Sequence, residues 1–327
     1  MLAPLDPLPV VRAADLDETD PRRAWLVEPL WPRAGVGIIG GAPKCCKSWL
    51  ALDLALSVAS GTPCLGRFAV AEAGDVLLYM AEDSGAVVRL RLAGLCRHRG
   101  LDLAELPIHV ITAQVLRLDL EVDQLRLAET VRRHAPRLLL LDPFVRLHRI
   151  DENNSGDVSA LLAYLRALQR EHDVAIVVVH HARKNSAPGS APGQGLRGSG
   201  DFHAWGDSNL YLRRAHGDLV LSIEHRAASA PAPFTLALAG DDGDTHLDIA
   251  DGRRPVDPVA TLDLDAQVVL TLGEIGPLSR EDLRAALRVR NERLGLALQR
   301  LAAQGRIRRH GDRWVHPERP VPSPDSL

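Results

Sequence analysis

The sequence predicts an α/β protein, a three-layer sandwich with a mostly parallel sheet, followed by a small C-terminal domain of three helices and a hairpin. Two observations predict this class. Short apolar runs alternate with helical patterns between Val36 and about Gly240. The runs Leu138–Leu141 and Ala175–Val179 are apolar without alternation, as are strands covered on both faces. Such alternation of strands and helices favours a parallel sheet with right-handed crossovers.

The order of elements predicts the domain boundaries. We expect a flexible lead-in over residues 1–24, the sandwich over 25–240, a linker over 241–262, the small domain over 263–317 and a disordered tail over 318–327. The predicted inner strands are Val36–Ile39, Val76–Ala81, Ile108–Thr112, Leu138–Leu141 and Val174–His180. The predicted helices are Ser48–Ala59, Val87–Arg99, Val122–Ala135 and Val158–Glu171. Three later runs, Asn209–Arg213, Asp218–His225 and Phe234–Ala239, are expected as antiparallel strands at the sheet edge.

The C-terminal region has a different pattern. Helical spacing marks Ala266–Glu274, Glu281–Leu287 and roughly Asn291–Ala303, and Ser279 with Asp282 predicts a capping box. Arg306–Arg309 and Arg313–His316 flank Gly311-Asp312, a strong hairpin signal. Three short helices and a hairpin predict a winged helix-turn-helix.

The bulk composition limits the class of protein. The 327 residues are 46% hydrophobic and 25% charged, as in globular proteins, and the net charge of −3 gives no global attraction to nucleic acid. Four cysteines without metal-type spacing favour a reduced, cytoplasmic compartment. No apolar stretch reaches the ~18 residues that span a bilayer, so we expect no membrane partner.

The segment from Gly41 to Ser48 matches a phosphate-binding loop with one glycine missing. The pattern G-x-x-x-x-G-K-[ST] lies between a strand and a helix, and here Cys46 occupies the position of the second glycine. Backbone N–H groups of such a loop converge on phosphate oxygens, Lys47 would reach the β- and γ-phosphates, and the Ser48 hydroxyl would bind Mg²⁺. The Cys46 side chain stands where phosphates approach the backbone, which leaves activity open. Redox-sensitive thiols at Cys45 and Cys46 are a minority interpretation.

Acidic residues end two of the predicted strands. Asp142 follows four leucines, where an aspartate holds Mg²⁺ through water opposite the loop; the alternative is an aspartate that only ends a buried strand. Glu82 and Asp83 follow another apolar run, and a glutamate there orients and deprotonates an attacking water. The alternative is that Glu82 and Asp83 only begin a solvated turn.

Basic residues and histidines follow the later strands. His180 ends a buried strand, where a polar residue senses the γ-phosphate; an ordinary strand-end histidine or a metal ligand are the alternatives. The loop 185–200 carries Arg197, which suits contact with a nucleic-acid backbone, although a solvated loop fits as well. Arg226 follows the last long strand and would reach a neighbouring subunit's phosphates or form a surface salt bridge.

The C-terminal module is locally basic. Residues 265–316 hold ten arginines and six acidic residues, a net charge of +4. This excess fits phosphate contacts of a helix in a DNA groove, with Arg288, Arg290 and Arg293 as the candidates. It also fits a protein-docking role.

Taken together, these motifs resemble the RecA-like P-loop ATPases of the RepA/KaiC type, the group that includes hexameric plasmid and phage replicative helicases. The resemblance covers roughly residues 25–240 and rests on Gly40–Leu52, Ala81–Ser84, Leu141–Pro143, Val179–Lys184 and Leu196–Ser199. It implies that ATP is held by Gly41, Ala42, Pro43, Lys44, Cys45, Cys46, Lys47, Ser48 and Trp49. It also implies Mg²⁺ at Ser48 and Asp142, catalysis by Glu82, Lys47, His180 and the arginine finger Arg226, and single-stranded DNA at Arg183, Lys184 and Arg197.

The leading hypothesis is an oligomeric ATPase, hexameric if it follows the helicases of this group, that acts on DNA in replication or plasmid maintenance. One alternative is a hydrolysis-deficient DNA-binding regulator in which the loop with Cys46 is only structural and the winged helix binds duplex DNA. Another is a signalling or clock-like ATPase with protein clients.

Overall fold

The computed structural model describes residues 9–15, 24–152, 154–181, 199–215, 218–241, 243–250, 264–274, 276–287, 289 and 291–317. The chain divides into two compact units, Met1–Pro255 and Val256–Leu327. None of the described helices is both long and apolar enough to cross a bilayer.

The first unit is built from eleven strands and five helices among the described residues. The strands are β1 (Trp25–Val27), β2 (Trp31–Pro32), β3 (Val36–Gly41), β4 (Val76–Met80), β5 (Ile108–Val110), β6 (Leu138–Asp142), β7 (Ala175–His181), β8 (Ser208–Ala215), β9 (Asp218–His225), β10 (Phe234–Ala239) and β11 (His246–Ile249). The helices are α1 (Lys47–Ser60), α2 (Gly85–Arg99), α3 (Glu121–His134), α4 (Ser155–His172) and α5 (Ser199–Trp205).

Nine of these strands form one sheet, in the order β11-β10-β9-β8-β3-β7-β6-β4-β5. The pairs from β8 through β3, β7, β6 and β4 to β5 are parallel, and β9, β10 and β11 are added in antiparallel pairs. Every residue of β3, β4 and β6 is buried, which explains why these runs are apolar without alternation. The predicted α/β class with a mostly parallel sheet is confirmed.

Two separate hydrophobic cores make the first unit three layers thick. On one face of the sheet, α1 and α2 pack through residues such as Leu54 and Leu92. On the other face, α3 and α4 pack through residues such as Leu127 and Leu165. Helix α1 is buried almost all round because Leu236 of β10 and Leu247 of β11 join the same core. A helix covered on every side carries apolar residues on every side, as the alanine- and leucine-rich run 50–59 does.

The structure differs from the predicted elements in three places. Strand β8, expected to be antiparallel, pairs parallel with β3 and so belongs to the parallel part of the sheet. Strand β11 pairs with β10, so residues 246–249 are part of the sheet and not of the linker expected from residue 241. The hairpin of β1 and β2 buries Trp31 completely and was not predicted, because strands of two or three residues are too short to show a pattern.

The second unit contains the elements expected of the small domain. Its helices are α6 (Leu264–Glu274), α7 (Arg280–Leu287) and α8 (Asn291–Ala303), and its strands are β12 (Leu278–Ser279), β13 (Arg308–His310) and β14 (Arg313–Val315). The strands pair antiparallel in the order β12-β14-β13. At the start of α7 the Asp282 N–H donates to Ser279 Oγ at 3.1 Å, and the Ser279 N–H donates to Asp282 Oδ2 at 3.3 Å, which is a capping box.

Candidate active site

The phosphate-binding loop lies at the carboxyl edge of the parallel strands, between β3 and α1. In the register of the sheet, Gly41 lies beside His181 of β7 and Leu212 of β8. A Cβ atom on Gly41 would lie 2.3 Å from the Leu212 carbonyl oxygen, and real Cβ atoms do not come that close. The first glycine of the motif is therefore required by the close approach of β8.

The loop keeps a glycine-like backbone at Cys46. This residue has φ 57° and ψ 25°, in the left-handed region, and Lys44 has φ 63°. A left-handed backbone costs a residue with a Cβ about 1–2 kcal/mol relative to the right-handed one. The missing glycine thus leaves the backbone conformation of the loop in place and adds strain, together with a half-buried thiol at the helix N-terminus. Burial raises the pKa of that thiol, which argues against a reactive thiolate there.

Lys47 is the first residue of α1, and its side chain turns back over the loop. Its Nζ donates a hydrogen bond to the Ala42 carbonyl oxygen at 2.8 Å, and the residue is only 5% exposed. Burial lowers the pKa of Lys47, while the acidic groups of Cys45, Asp142 and Glu82 raise it. A buried ammonium beside a loop at a helix N-terminus is suited to an anionic ligand.

Asp142 ends β6 beside the loop and is nearly completely buried. Burial raises its pKa to about 6, against a hydrogen bond from Ser48 and the nearby charge of Lys47. Among the described residues, the oxygen Oδ2 of Asp142 has no hydrogen-bond partner. A buried carboxylate oxygen without a partner, next to a serine hydroxyl, fits a hard divalent cation such as Mg²⁺.

The acidic turn after β4 lies at the same edge of the sheet. Glu82 Oε1 accepts a hydrogen bond from Arg146 Nε at 2.8 Å, and both side chains are about half exposed. Asp83 forms an ion pair with Arg91, whose guanidinium lies 5.6 Å from the centre of the Trp49 ring. These arginines therefore hold both acids of the turn in place.

These groups line one cavity of about 340 Å³, at the lower end of the volume range of small-molecule sites. Its walls are formed by the loop, by the acidic turn and by the ends of β6 and β7. The lining residues are Lys44, Cys45, Cys46, Lys47, Ser48, Trp49, Met80, Glu82, Asp83, Arg91, Asp142 and His181. The predicted loop residues from Lys44 to Trp49, with Glu82 and Asp142, are thus brought together at one site.

His180, predicted as the γ-phosphate sensor, does not line this cavity. It is buried on the opposite face of the sheet, stacked on Phe202 with ring centres 4.3 Å apart. Successive residues of a strand point to opposite faces, so the neighbouring His181 is the histidine on the cavity side. Burial lowers the pKa of His181, as does the charge of Lys47.

Arg226 lies far from the cavity of its own chain. Its N–H donates to the Asp207 carbonyl oxygen at 2.9 Å, and its guanidinium lies 3.6 Å from Asp207 Oδ1. Asp207 is level with Val36, at the amino end of β3, so about 16 Å of strand separate Arg226 from the loop. Because the Arg226 guanidinium is exposed and distant from its own cavity, it could act as the predicted arginine finger only at the site of another subunit.

The predicted nucleic-acid contacts lie beyond what the structure describes. Arg183, Lys184 and Arg197 fall in the range 182–198, and Arg288 and Arg290 are also outside the described residues. Arg293 belongs to α8, but its side chain is not described.

Four residues near the cavity were missed from the sequence. Arg91 and Arg146 pair with the acids of the turn, His181 lines the cavity, and Arg214 of β8 is close enough to Cys46 to lower its pKa. Only His181 had a sequence signal, because it adjoins the predicted sensor at the end of the same strand.

Comparisons with known proteins identify the fold and the family of this chain. The structure resembles a solved structure of a DnaB-like replicative helicase, described with its interactions with primase, at a TM-score of 0.51 and 15% sequence identity. That match covers 65% of this chain and 57% of the helicase chain, so this chain corresponds to a little over half of the helicase's length. The likeness confirms the predicted RecA-like P-loop fold. A family model described as an AAA domain matches residues 3–187, more than half of the chain, and the protein therefore belongs to this AAA domain family (AAA_25).

Proposed function

We propose that this protein is an oligomeric, DNA-dependent ATPase that binds ATP with Mg²⁺ and acts in DNA replication of the plasmid or phage type. The observation that carries the proposal is the meeting of Lys47, Ser48 and Asp142 in one cavity, with a buried Asp142 oxygen that has no partner among the residues the structure describes. An ATP phosphate would pair with the Lys47 ammonium, and a divalent cation would bind the carboxylate of Asp142. Lys47 Nζ already donates to the Ala42 carbonyl oxygen, so a phosphate would replace that carbonyl as its partner.

Each residue of the site has a role in this proposal. The backbone N–H groups of the loop from Gly41 to Ser48, which Pro43 lacks, hold the phosphate oxygens, and Lys47 leaves the Ala42 carbonyl to contact the β- and γ-phosphates. Mg²⁺, when bound at Ser48 and Asp142, neutralises charge that develops on the phosphates. Glu82 orients the attacking water and accepts its proton, while Arg146 holds the Glu82 carboxylate at the cavity.

In our proposal His181 takes the role of the γ-phosphate sensor instead of His180, because His181 lines the cavity. Burial favours the neutral imidazole of His181, which is able to donate or accept one hydrogen bond without adding charge. The Trp49 ring, fixed under Arg91, forms an apolar wall of the site.

The assembly and the DNA contacts are proposals from the family resemblance. In a ring, Arg226 would reach a neighbour's phosphates once it leaves Asp207. Residues 185–200, with Arg183, Lys184 and Arg197, would contact single-stranded DNA. The second unit, with its three helices and three-stranded sheet, would act as a winged helix on duplex DNA or on a protein partner.

The test is ATP hydrolysis by the purified full-length protein, with and without single-stranded DNA. We expect hydrolysis stimulated by DNA, lost by a factor of about 100 or more in Lys47→Ala and in Glu82→Gln. Arg89→Ala, which removes an exposed cation from α2, is the matched control and should keep the wild-type rate. Because Glu82 acts on the water, Glu82→Gln should keep its affinity for ATP, whereas Lys47→Ala should lose it.

Other outcomes would favour the alternatives. ATP binding without hydrolysis, together with full DNA affinity in residues 262–317 alone, would identify a DNA-binding regulator. Hydrolysis that is indifferent to DNA would favour an ATPase with protein clients. A protein that binds neither ATP nor DNA would contradict the proposal.

A further inference from the structure

We propose that His98, His246 and Asp248 form a zinc site that fastens the edge strand β11 to helix α2, separate from the ATP cavity. His98 lies in the last turn of α2, and the other two residues lie on β11. One nitrogen of each histidine and one oxygen of Asp248 lie within 4.8 Å of one another. Two imidazoles and one carboxylate are a donor set that suits Zn²⁺.

His246 is the fixed member of the set and has the tautomer that a metal needs. It is buried, and its Nδ1 lies 2.6 Å from the Asp244 carbonyl oxygen. A carbonyl oxygen only accepts hydrogen bonds, so Nδ1 carries the hydrogen and donates the hydrogen bond. Metal-binding histidines are oriented by this kind of bond, which leaves Nε2 as the ligand atom.

The other nitrogen of His246 faces a carboxylate. Nε2 lies 3.2 Å from Asp248 Oδ2, and in the neutral ring both atoms are acceptors. The contact is favourable only with a cation between or beside them, either a second proton on the ring or a metal ion. The ring of His98 stacks on that of His246 with centres 3.4 Å apart and planes 16° apart. The lone pairs of an imidazole lie in its ring plane, so the exposed His98 ring must turn out of this stack for both rings to bind one ion.

The surroundings of the cluster also favour a cation. His98 is at the C-terminal end of α2, where the helix dipole is negative. Arg97 is the opposing positive charge, but its guanidinium is turned to the Gly243 carbonyl oxygen. Zn–N bonds of about 2.1 Å place tetrahedral ligands about 3.4 Å apart, so the set must contract. His98 and Asp248 are exposed and supply this movement, while His246 stays in place.

The position in the fold gives such a site a structural purpose. Strand β11 is the last strand at the antiparallel edge of the sheet, and it curls back over α1 to reach α2. It is four residues long and pairs only with β10 among the described strands. A metal ion that joins β11 to α2 would therefore close the layer that covers the helix of the phosphate-binding loop.

The experiment is a calorimetric titration of Zn²⁺ into the full-length protein after removal of metals with a chelator, near neutral pH. We expect one zinc ion per chain, with affinity at least about tenfold weaker in His98→Ala and in Asp248→Asn. The matched control is His134→Ala, because the exposed His134 and the half-buried His109 form a similar histidine pair beside Asp75. This control should bind zinc as the wild type does.

Cobalt distinguishes this site from the cysteines of the phosphate-binding loop. Co²⁺ held by His98, His246 and Asp248 gives visible absorption bands without the near-ultraviolet band of a cobalt–thiolate bond. Zinc should also raise the melting temperature of the wild type and of His134→Ala, and not that of His98→Ala. The proposal is overturned by absence of zinc binding, by a thiolate band, or by equal affinity in the wild type and both site variants.

Discussion

The left-handed backbone of Cys46 leads to a prediction with an unusual sign. At an ordinary helix position alanine is more stable than glycine by about 1 kcal/mol. At position 46 we expect the opposite order, with Cys46→Gly more stable than Cys46→Ala. The reason is the φ of 57°, which glycine adopts without a steric cost and alanine does not.

The magnitude follows from two opposing effects. Alanine at this position keeps the left-handed strain of about 1–2 kcal/mol. Glycine removes the strain but loses about 0.5–1 kcal/mol more backbone entropy on folding. The difference between the two variants is therefore about 0.5–1 kcal/mol in favour of glycine. Both variants lose the packing of the half-buried thiol, so that loss cancels in the comparison.

The assay is thermal unfolding of the two variants followed by circular dichroism. A difference of 1 kcal/mol shifts the melting temperature by about 2–4 °C for a domain of this size, so Cys46→Gly should melt about 2 °C above Cys46→Ala. Ala163→Gly is the control, at an exposed position inside α4. It should be about 1 kcal/mol less stable than the wild type, because no left-handed strain is present there.

The reverse order of the two Cys46 variants would refute the reasoning. If Cys46→Ala melted at or above Cys46→Gly while Ala163→Gly lost stability as expected, the backbone at position 46 would not be left-handed in solution. The same variants also test the cavity. Since Cys46 lines it, Cys46→Gly should bind ATP more tightly than Cys46→Ala, measured by titration calorimetry.

Three further substitutions test the site and the core. Burial raises the pKa of Asp142 to about 6, so the folded state loses stability as the pH rises from about 4 to about 6. Asp142→Asn should therefore increase the free energy of unfolding by up to about 3 kcal/mol near pH 7.5 without Mg²⁺, and change it little near pH 4. Thermal unfolding at both pH values measures this difference. Asp53→Asn removes the partner of Arg99, an ion pair that is almost fully buried, and should cost about 3–5 kcal/mol in urea unfolding. Gly41→Ala would press a Cβ against the Leu212 carbonyl, and calorimetry should find ATP binding lost.

The parts of the site that lie on one continuous segment were predictable from the sequence. The run 36–59 has an apolar strand, a loop with the lysine–serine pair and an apolar helix, and each is recognised without knowing the rest of the fold. Asp142 was predictable for the same reason, because the four leucines before it indicate a buried strand that ends at Asp142. The local sequence pattern is enough to predict the position of a site residue that directly follows a buried strand.

The parts of the site that depend on tertiary contacts were not predictable. The pairing of Arg146 with Glu82 joins residues 64 positions apart, and nothing in either segment indicates it. The choice between His180 and His181 depends on which face of the sheet carries α1, and a strand's sequence does not contain that information. Strand β11 was not predictable because His246–Ile249 lies in a stretch rich in Asp and Gly, residues that are depleted in strands and that indicate a linker.

Several unfavourable features of the first unit meet at the phosphate-binding loop. Lys44 and Cys46 have left-handed backbones, Lys47 is a buried ammonium, and Asp142 is a buried carboxyl, one oxygen of which has no partner within the described part of the chain. None of these features stabilises the fold, and strain of this kind persists at sites where a ligand is bound. An anion of several oxygens would satisfy the lysine and the loop amides, and a divalent cation would satisfy Asp142. The anion would pair with Lys47 and the loop amides, and the cation would pair with Asp142, within one cavity of about 340 Å³. Each ligand should therefore bind more tightly when the other is present. Nucleoside triphosphate with Mg²⁺, the ligand pair of our proposal, has this chemistry, and the strain at Cys46 is compatible with it.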